Sequence, residues 1–71
     1  MTLGTRTAIV LRYLDRLGPT SPDALCVVLE AEQALPSPVE PGRVLSSIVS
    51  LCRAGRARRV VGGLYAPRRV R

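Results

Sequence analysis

The sequence contains no His, Phe, Trp or Lys, and all 11 of its basic residues are Arg. Without imidazole or amine side chains, it has neither the commonest general base nor a Schiff-base nucleophile. Its two cysteines, Cys26 and Cys52, are too few for a disulfide framework, and no His is present to complete a zinc site. Both lie among apolar neighbours, which predicts that both are buried. We therefore expect a non-enzymatic protein with no cofactor and no metal.

Long apolar runs are also missing. Residues 1–17 are interrupted by Arg6, Arg12, Asp15 and Arg16, so they form neither the apolar core of a signal peptide nor the roughly 20 apolar residues of a membrane span. We expect a cytoplasmic protein that does not bind membranes.

The length of 71 residues limits the size of the core. Chains this short bury only roughly 60% of their unfolded surface, so the hydrophobic residues must share one core, and little remains for a deep pocket. The sequence predicts a single domain over residues 1–71.

The charge is divided unevenly along the chain. Residues 1–40 contain three Arg and five acidic residues, whereas residues 41–71 contain eight Arg and no acidic residue. A genome's codon preference explains the use of Arg in place of Lys, but it does not explain why no acid follows Glu40. Because Arg binds phosphate groups in a bidentate manner, the C-terminal cluster favours a polyanionic partner.

Apolar residues at helical spacing predict a first helix over about 5–17, which Gly18 and Pro19 end. A second helix is predicted over about 22–34, with Ser21 as its N-cap. Both belong to a predicted three-helix core.

Three prolines in residues 35–42 predict an extended link, which we interpret as a plain connector and not as a partner-binding loop. A third helix is predicted over about 42–54. Its apolar side is expected to contain Val44, Leu45, Ile48, Val49, Leu51 and Cys52. Its exposed side is expected to contain Arg43, Ser46, Ser47, Ser50, Arg53 and Ala54.

The exposed side of the third helix carries hydroxyl and guanidinium groups without a carboxylate. Such groups can contact phosphates and base edges in a major groove. The alternative is an ordinary surface of small polar residues.

A β-hairpin is predicted over about 57–67, with Gly62-Gly63 as a two-residue turn. This turn places Val61 opposite Leu64, and we expect Pro67 to end the pairing. Residues 68–71 are predicted to form a basic tail.

Three segments together resemble a winged helix-turn-helix DNA-binding domain: LRYLDRLGP, RVLSSIVSLCRAGRARRV and GGLYAP. The resemblance covers residues 5–67 and implies a mainly α fold, with a three-helix core and a small β-hairpin as the wing. It implies that the third helix enters the major groove with Arg43, Ser46, Ser47, Ser50 and Arg53. It also implies that the wing meets the backbone or minor groove with Arg56, Arg58, Arg59, Arg68 and Arg69.

The chain departs from this family in the link of residues 35–42, because the family commonly joins its second and third helices by a short turn.

We expect a double-stranded DNA-binding protein that acts by occupancy, such as a small transcriptional regulator or a phage or plasmid control protein. In a bacterium it would be associated with the nucleoid. A single module this small offers limited contact area, so useful affinity is expected to need a homodimer on two half-sites or a protein partner. Ile9 and Leu11 lie off the main apolar stripe of the first helix and are the predicted dimer surface.

Two other functions remain open. One is a winged-helix interaction module that binds an acidic protein surface, for example on a polymerase subunit or an inhibited nuclease. DNA is preferred because no exposed aromatic or Leu anchor is predicted on the third helix. The other is binding to structured RNA, which the aromatic content of 3% disfavours because base stacking needs aromatic side chains.

Overall fold

The computed structural model describes residues 4–68 of the chain. Three helices are followed by a two-stranded antiparallel hairpin, which confirms the predicted fold class of a helical core plus a wing. The elements are α1 (Thr5–Leu17), α2 (Pro22–Ala31), α3 (Pro41–Arg53), β1 (Ala57–Val60) and β2 (Leu64–Pro67).

The starts of the helices follow local sequence preferences. Ser21 caps α2, because its hydroxyl oxygen accepts a hydrogen bond of 3.1 Å from the backbone N–H of Ala24. Pro41 occupies the first turn of α3, where the missing N–H of proline has no intrahelical partner to lose.

The predicted end of α2 near residue 34 is wrong, because the helix ends at Ala31. Gln33 adopts a left-handed conformation with φ of 50°, and its N–H donates to the carbonyl of Glu30. The N–H of Ala34 donates to the carbonyl of Leu29. Glycine usually occupies the left-handed position after a helix. Because Gln stands there in this chain, the sequence carries no glycine to mark the end of α2.

The core lies between the three helices and the first residue of β1. Its side chains are at most 8% exposed. They are Val10 and Leu14 of α1, Leu25, Cys26 and Leu29 of α2, Val44, Ile48 and Leu51 of α3, and Ala57 of β1.

The link of residues 32–40 is attached to this core. Ala34, Leu35 and Val39 are half-buried and pack against it. The position of α3 is therefore fixed by apolar contacts of the link as well as by its own buried side.

The register of the hairpin differs from the prediction by one residue. Val60 pairs with Leu64 and Arg59 with Tyr65, so residues 61–63 form a three-residue loop. Gly62 and Gly63 have φ of 83° and 72°, a left-handed conformation that glycine adopts without steric cost. The predicted two-residue turn is wrong, and Val61 lies at the tip with 94% of its surface exposed.

Pairing also continues past Pro67. The N–H of Arg68 donates to the carbonyl of Arg56 over 2.8 Å, although Pro67 was predicted to end the ladder. Residue 67 occupies a position of the antiparallel pair whose N–H points away from β1, so proline removes no bond between the strands.

The outer edge of β2 is tied to the turn between α1 and α2. The N–H of Tyr65 donates to the carbonyl of Thr20 over 2.8 Å, and the N–H of Thr20 donates to the carbonyl of Tyr65 over 2.9 Å. The Tyr65 side chain packs against the core, as predicted. These contacts hold the hairpin beside the helices.

The turn glycines provide a test of the observed register. We expect Gly63→Ala to lower the free energy of unfolding by about 1–2 kcal/mol, because an alanine at positive φ is strained. Gly42 lies in the first turn of α3 without a positive φ, and open space surrounds its Cα. Gly42→Ala is the matched control and should not destabilise the protein. Urea denaturation of both variants measures the difference, and equal stabilities would contradict the assigned turn.

Candidate nucleic-acid interface

A polar stripe runs along the exposed side of α3. It consists of Arg43, Ser46, Ser50 and Arg53, which follow the helical spacing i, i+3, i+7 and i+10 and are all exposed. Residues at this spacing lie on one side of a helix. Four of the five residues predicted for this helix therefore come together on one surface.

Ser47 is the exception, and its predicted place on the exposed side is wrong. The residue is only 6% exposed, and the hydroxyl of Thr7 on α1 donates a hydrogen bond of 3.4 Å to its oxygen. Ser47 follows Val44 by three residues and precedes Leu51 by four, which is the spacing of the buried side. That spacing was the available indication in the sequence.

Two apolar residues beside the polar stripe were predicted to be buried and are not. Leu45 is 41% exposed and Val49 is 38% exposed, and they lie one helical turn apart. Sequence reasoning missed them because it assigned every apolar residue of α3 to the core. The candidate interface therefore has an apolar part next to its polar stripe.

The predicted burial of the cysteines is confirmed for Cys26 only. Cys52 is half-buried, whereas Cys26 lies in the core, where burial raises the pKa of its thiol. A raised pKa lowers the fraction of reactive thiolate.

Arg43 is paired with the acidic residue nearest to the stripe. Its Nε lies 2.9 Å from Oε2 of Glu40, and both side chains are largely exposed. A phosphate that approaches Arg43 would compete with this carboxylate. The N-terminal end of the stripe is therefore less positive than its C-terminal end at Arg53.

The two serines of the stripe differ in hydrogen-bonding capacity. The hydroxyl of Ser46 donates to the carbonyl of Gly42 over 3.0 Å, which leaves its oxygen to accept. Within residues 4–68, Ser50 makes no side-chain hydrogen bond. Ser50 can therefore both donate to and accept from a ligand.

Three Arg residues share the outer face of the hairpin. The N–H of Arg68 donates to the carbonyl of Arg56, the residue before β1, and Arg58 is the second residue of β1. Alternation of side chains places Arg58 on the face opposite Ala57 and Tyr65, which contact the core, and Arg56 and Arg68 continue this alternation at the ends of the strands. Ala66 pairs with Arg58 and lies on the same face, where it is 5% exposed. All three Arg residues are exposed, and we call them the Arg face.

Arg59 does not belong to the Arg face. It is exposed but lies opposite Tyr65, on the other side of the strand from Arg58. Arg58 and Arg59, both predicted to contact phosphates or the minor groove, therefore lie on different faces of the hairpin, and the contact of Arg59 stays a prediction. Arg69, also predicted to contact nucleic acid, lies outside the described residues.

The Arg face concentrates like charge. Arg56 and Arg68 stand directly opposite each other, an arrangement that destabilises an antiparallel pair when no anion lies between the two charges. None of its three members forms an ion pair with another residue in the range 4–68. A bound anion would relieve this repulsion.

Arg16 is outside this surface and is already engaged. Its NH2 lies 2.8 Å from Oε2 of Glu32, and the hydroxyl of Tyr13 donates to Oε1 of the same carboxylate over 2.9 Å. These two hydrogen bonds hold the pKa of the Glu32 carboxyl below its ordinary value. They join α1 to the end of α2, so Arg16 has a structural role.

Ile9 and Leu11 are the predicted dimer surface, which stays a prediction. Both are half-buried and pack against the core of their own molecule.

The part of the chain that the structure describes contains no group of three His, Cys, Asp or Glu residues that could hold a metal ion. No helix between residues 4 and 68 combines the length and the apolar character needed to cross a bilayer.

Comparison of the chain with models of protein families, with curated proteins and with solved structures gives no match.

Substitution of two serines of α3 tests which side of this helix faces the solvent. Ser47→Arg should lower the free energy of unfolding by about 2–4 kcal/mol, because a long charged side chain is forced into the packed contact with α1. Ser50→Arg is expected to change stability by no more than about 0.5 kcal/mol, since residue 50 is exposed. Thermal and urea denaturation measure both. A tolerated Ser47→Arg variant would show that the buried side of α3 is wrongly assigned.

Proposed function

We propose that the protein binds double-stranded DNA as a winged-helix domain, with α3 in the major groove and the hairpin on the phosphate backbone. In this role it would be a small transcriptional regulator or a phage or plasmid control protein. The observation that supports this proposal most strongly is that the exposed polar stripe and the exposed Arg face follow each other along the chain. The polar stripe ends at Arg53, and the Arg face begins three residues later at Arg56.

The dimensions of α3 fit this role. Its 13 residues extend about 20 Å, and an α-helix of ordinary diameter enters the major groove of B-DNA. Arg53 and Arg43 can bind guanine in a bidentate manner, and Ser50 can donate to or accept from a base edge. Leu45 and Val49 can contact thymine methyl groups.

The Arg face would supply affinity without reading sequence. Contacts between guanidinium groups and phosphates position a protein on the duplex but do not distinguish bases. If the three members of the Arg face each contact a phosphate, the log–log salt slope should be about −2.7.

A second candidate function is supported by the exposed apolar residues of α3. The preference for DNA rested partly on the absence of a Leu anchor on this helix, and Leu45 is 41% exposed. Leu45 and Val49 surrounded by Arg could equally bind an acidic protein surface with an apolar centre. Binding to a duplex separates the two candidates.

A fluorescence-anisotropy titration tests the proposal. The intact chain is titrated against a random-sequence duplex and a single strand of equal length, each at about 50 and 200 mM salt. We expect duplex-preferring binding that weakens steeply over this range, because phosphate contacts release counterions. Absence of duplex binding at the lower salt concentration would reject DNA and favour the acidic protein partner.

Two neighbouring Arg residues provide the matched control for this titration. Arg58→Ala should make the salt slope less steep by about one, because it removes one phosphate contact. Arg59→Ala removes the same charge from the other side of the strand and should leave the slope nearly unchanged. Equal effects would mean that net charge alone, and not the Arg face, drives binding.

The ion pair at the start of α3 gives a further prediction. Glu40→Gln frees Arg43 and is expected to tighten duplex binding about two- to fivefold at low salt, the range that corresponds to an exposed ion pair. Glu30→Gln removes an equal charge from α2, away from the stripe, and should have little effect. Competition titrations against one duplex measure both variants. Equal tightening would indicate a nonspecific effect of net charge.

A further inference from the structure

An open groove lies between the end of α2 and the proline-containing link. Its volume is about 420 Å³. Its apolar lining comes from Leu29, Leu35, Pro38 and Val39, and Glu30 contributes a carboxylate. The groove is on the acidic half of the chain and shares no residue with the polar stripe or the Arg face.

The tip of the hairpin is apolar and has a positive charge beside it, so it complements the apolar, acidic groove. Val61 is 94% exposed, the largest value among the exposed large hydrophobic residues of the described chain. A methyl group at Gly62 or Gly63 would have no atom within 4 Å apart from those of the adjacent residues, so the tip projects into open space. Arg59, two residues before Val61, adds a positive charge behind this apolar tip.

We propose that the hairpin tip of one molecule docks in the groove of a second copy of the same chain. Val61 would pack between the half-buried Leu35 and Val39, and Arg59 would pair with Glu30. Charge complementarity supports this occupant, because Arg59 and Glu30 are both exposed and neither forms an ion pair within residues 4–68.

The geometry of the hairpin keeps this contact separate from the proposed DNA interface. Arg59 lies on the side of the strand opposite the Arg face, so docking of the tip leaves Arg56, Arg58 and Arg68 accessible. The contact between two copies needs no DNA.

The contact joins two different surfaces, so it is heterologous. Each molecule presents one tip and one groove, and successive copies would associate head to tail. A contact of this size is weak in solution.

Sedimentation velocity of the intact chain without DNA, from about 10 µM to 1 mM at low salt, tests the inference. The average mass should rise with concentration. Val61→Ser should weaken association about tenfold, because it removes buried methyl groups from the contact. Val27→Ser is the control, since Val27 is 66% exposed on α2 but does not line the groove. A monomer at every concentration, or equal weakening by both variants, would overturn the proposal.

Charge-reversal variants test whether Arg59 and Glu30 form the ion pair between the two copies. Arg59→Glu and Glu30→Arg should each weaken association, and the double variant should restore it, whereas Arg58→Glu should have little effect. Failure of the double variant to recover would overturn the proposed pairing.

A mixing experiment identifies the symmetry. Val61→Ser has an impaired tip and an intact groove, whereas Glu30→Arg has the reverse. Their equimolar mixture should associate more strongly than either variant does alone. A mixture that stays monomeric would overturn the head-to-tail arrangement. Circular dichroism of each variant establishes that it is folded.

Discussion

The burial of one narrow side of α3 is the constraint on which the rest of the structure depends. A chain of 71 residues has one core, and α3 contributes only Val44, Ser47, Ile48 and Leu51 to its buried positions. A small residue at position 47 allows α3 to lie close to α1, where Thr7 meets it. Because the buried side is this narrow, Leu45 and Val49 are exposed next to the polar stripe. The same packing fixes the direction in which Arg43, Ser50 and Arg53 point.

The hairpin divides the remaining positive charge between two faces. One side rests on the core through Ala57 and Tyr65, and the other carries Arg56, Arg58 and Arg68 beside the buried Ala66. Pairing of Tyr65 with Thr20 holds β2 in place beside the turn between α1 and α2. The hairpin is therefore anchored at its base, while its tip, with Val61 and the two glycines, has no neighbour in the described chain.

Three acidic residues also occupy distinct positions in the fold. Glu32 binds Arg16 and Tyr13 and joins two helices, and Glu40 pairs with Arg43 at the edge of the stripe. Glu30 remains exposed beside the apolar groove. The molecule thus has a positive surface on α3 and the hairpin, and an apolar groove with an acidic residue at α2 and the link. These two surfaces differ in charge and shape, which is the condition for a heterologous contact.

The sequence by itself determined the fold class, the starts of the helices and the confinement of excess positive charge to the last part of the chain. These features are local: Ser21 and Pro22 cap a helix wherever it packs, and Gly18 with Pro19 ends one. Only the tertiary structure decided that Leu45 and Val49 are exposed and that Val61 is at the tip of the hairpin. Helical periodicity gives the phase of a buried side but not its width, which depends on the neighbouring helices. Likewise, two glycines indicate a turn but do not give the number of residues in the loop. The loop length sets the register of the hairpin, and a shift of one residue changes every cross-strand partner.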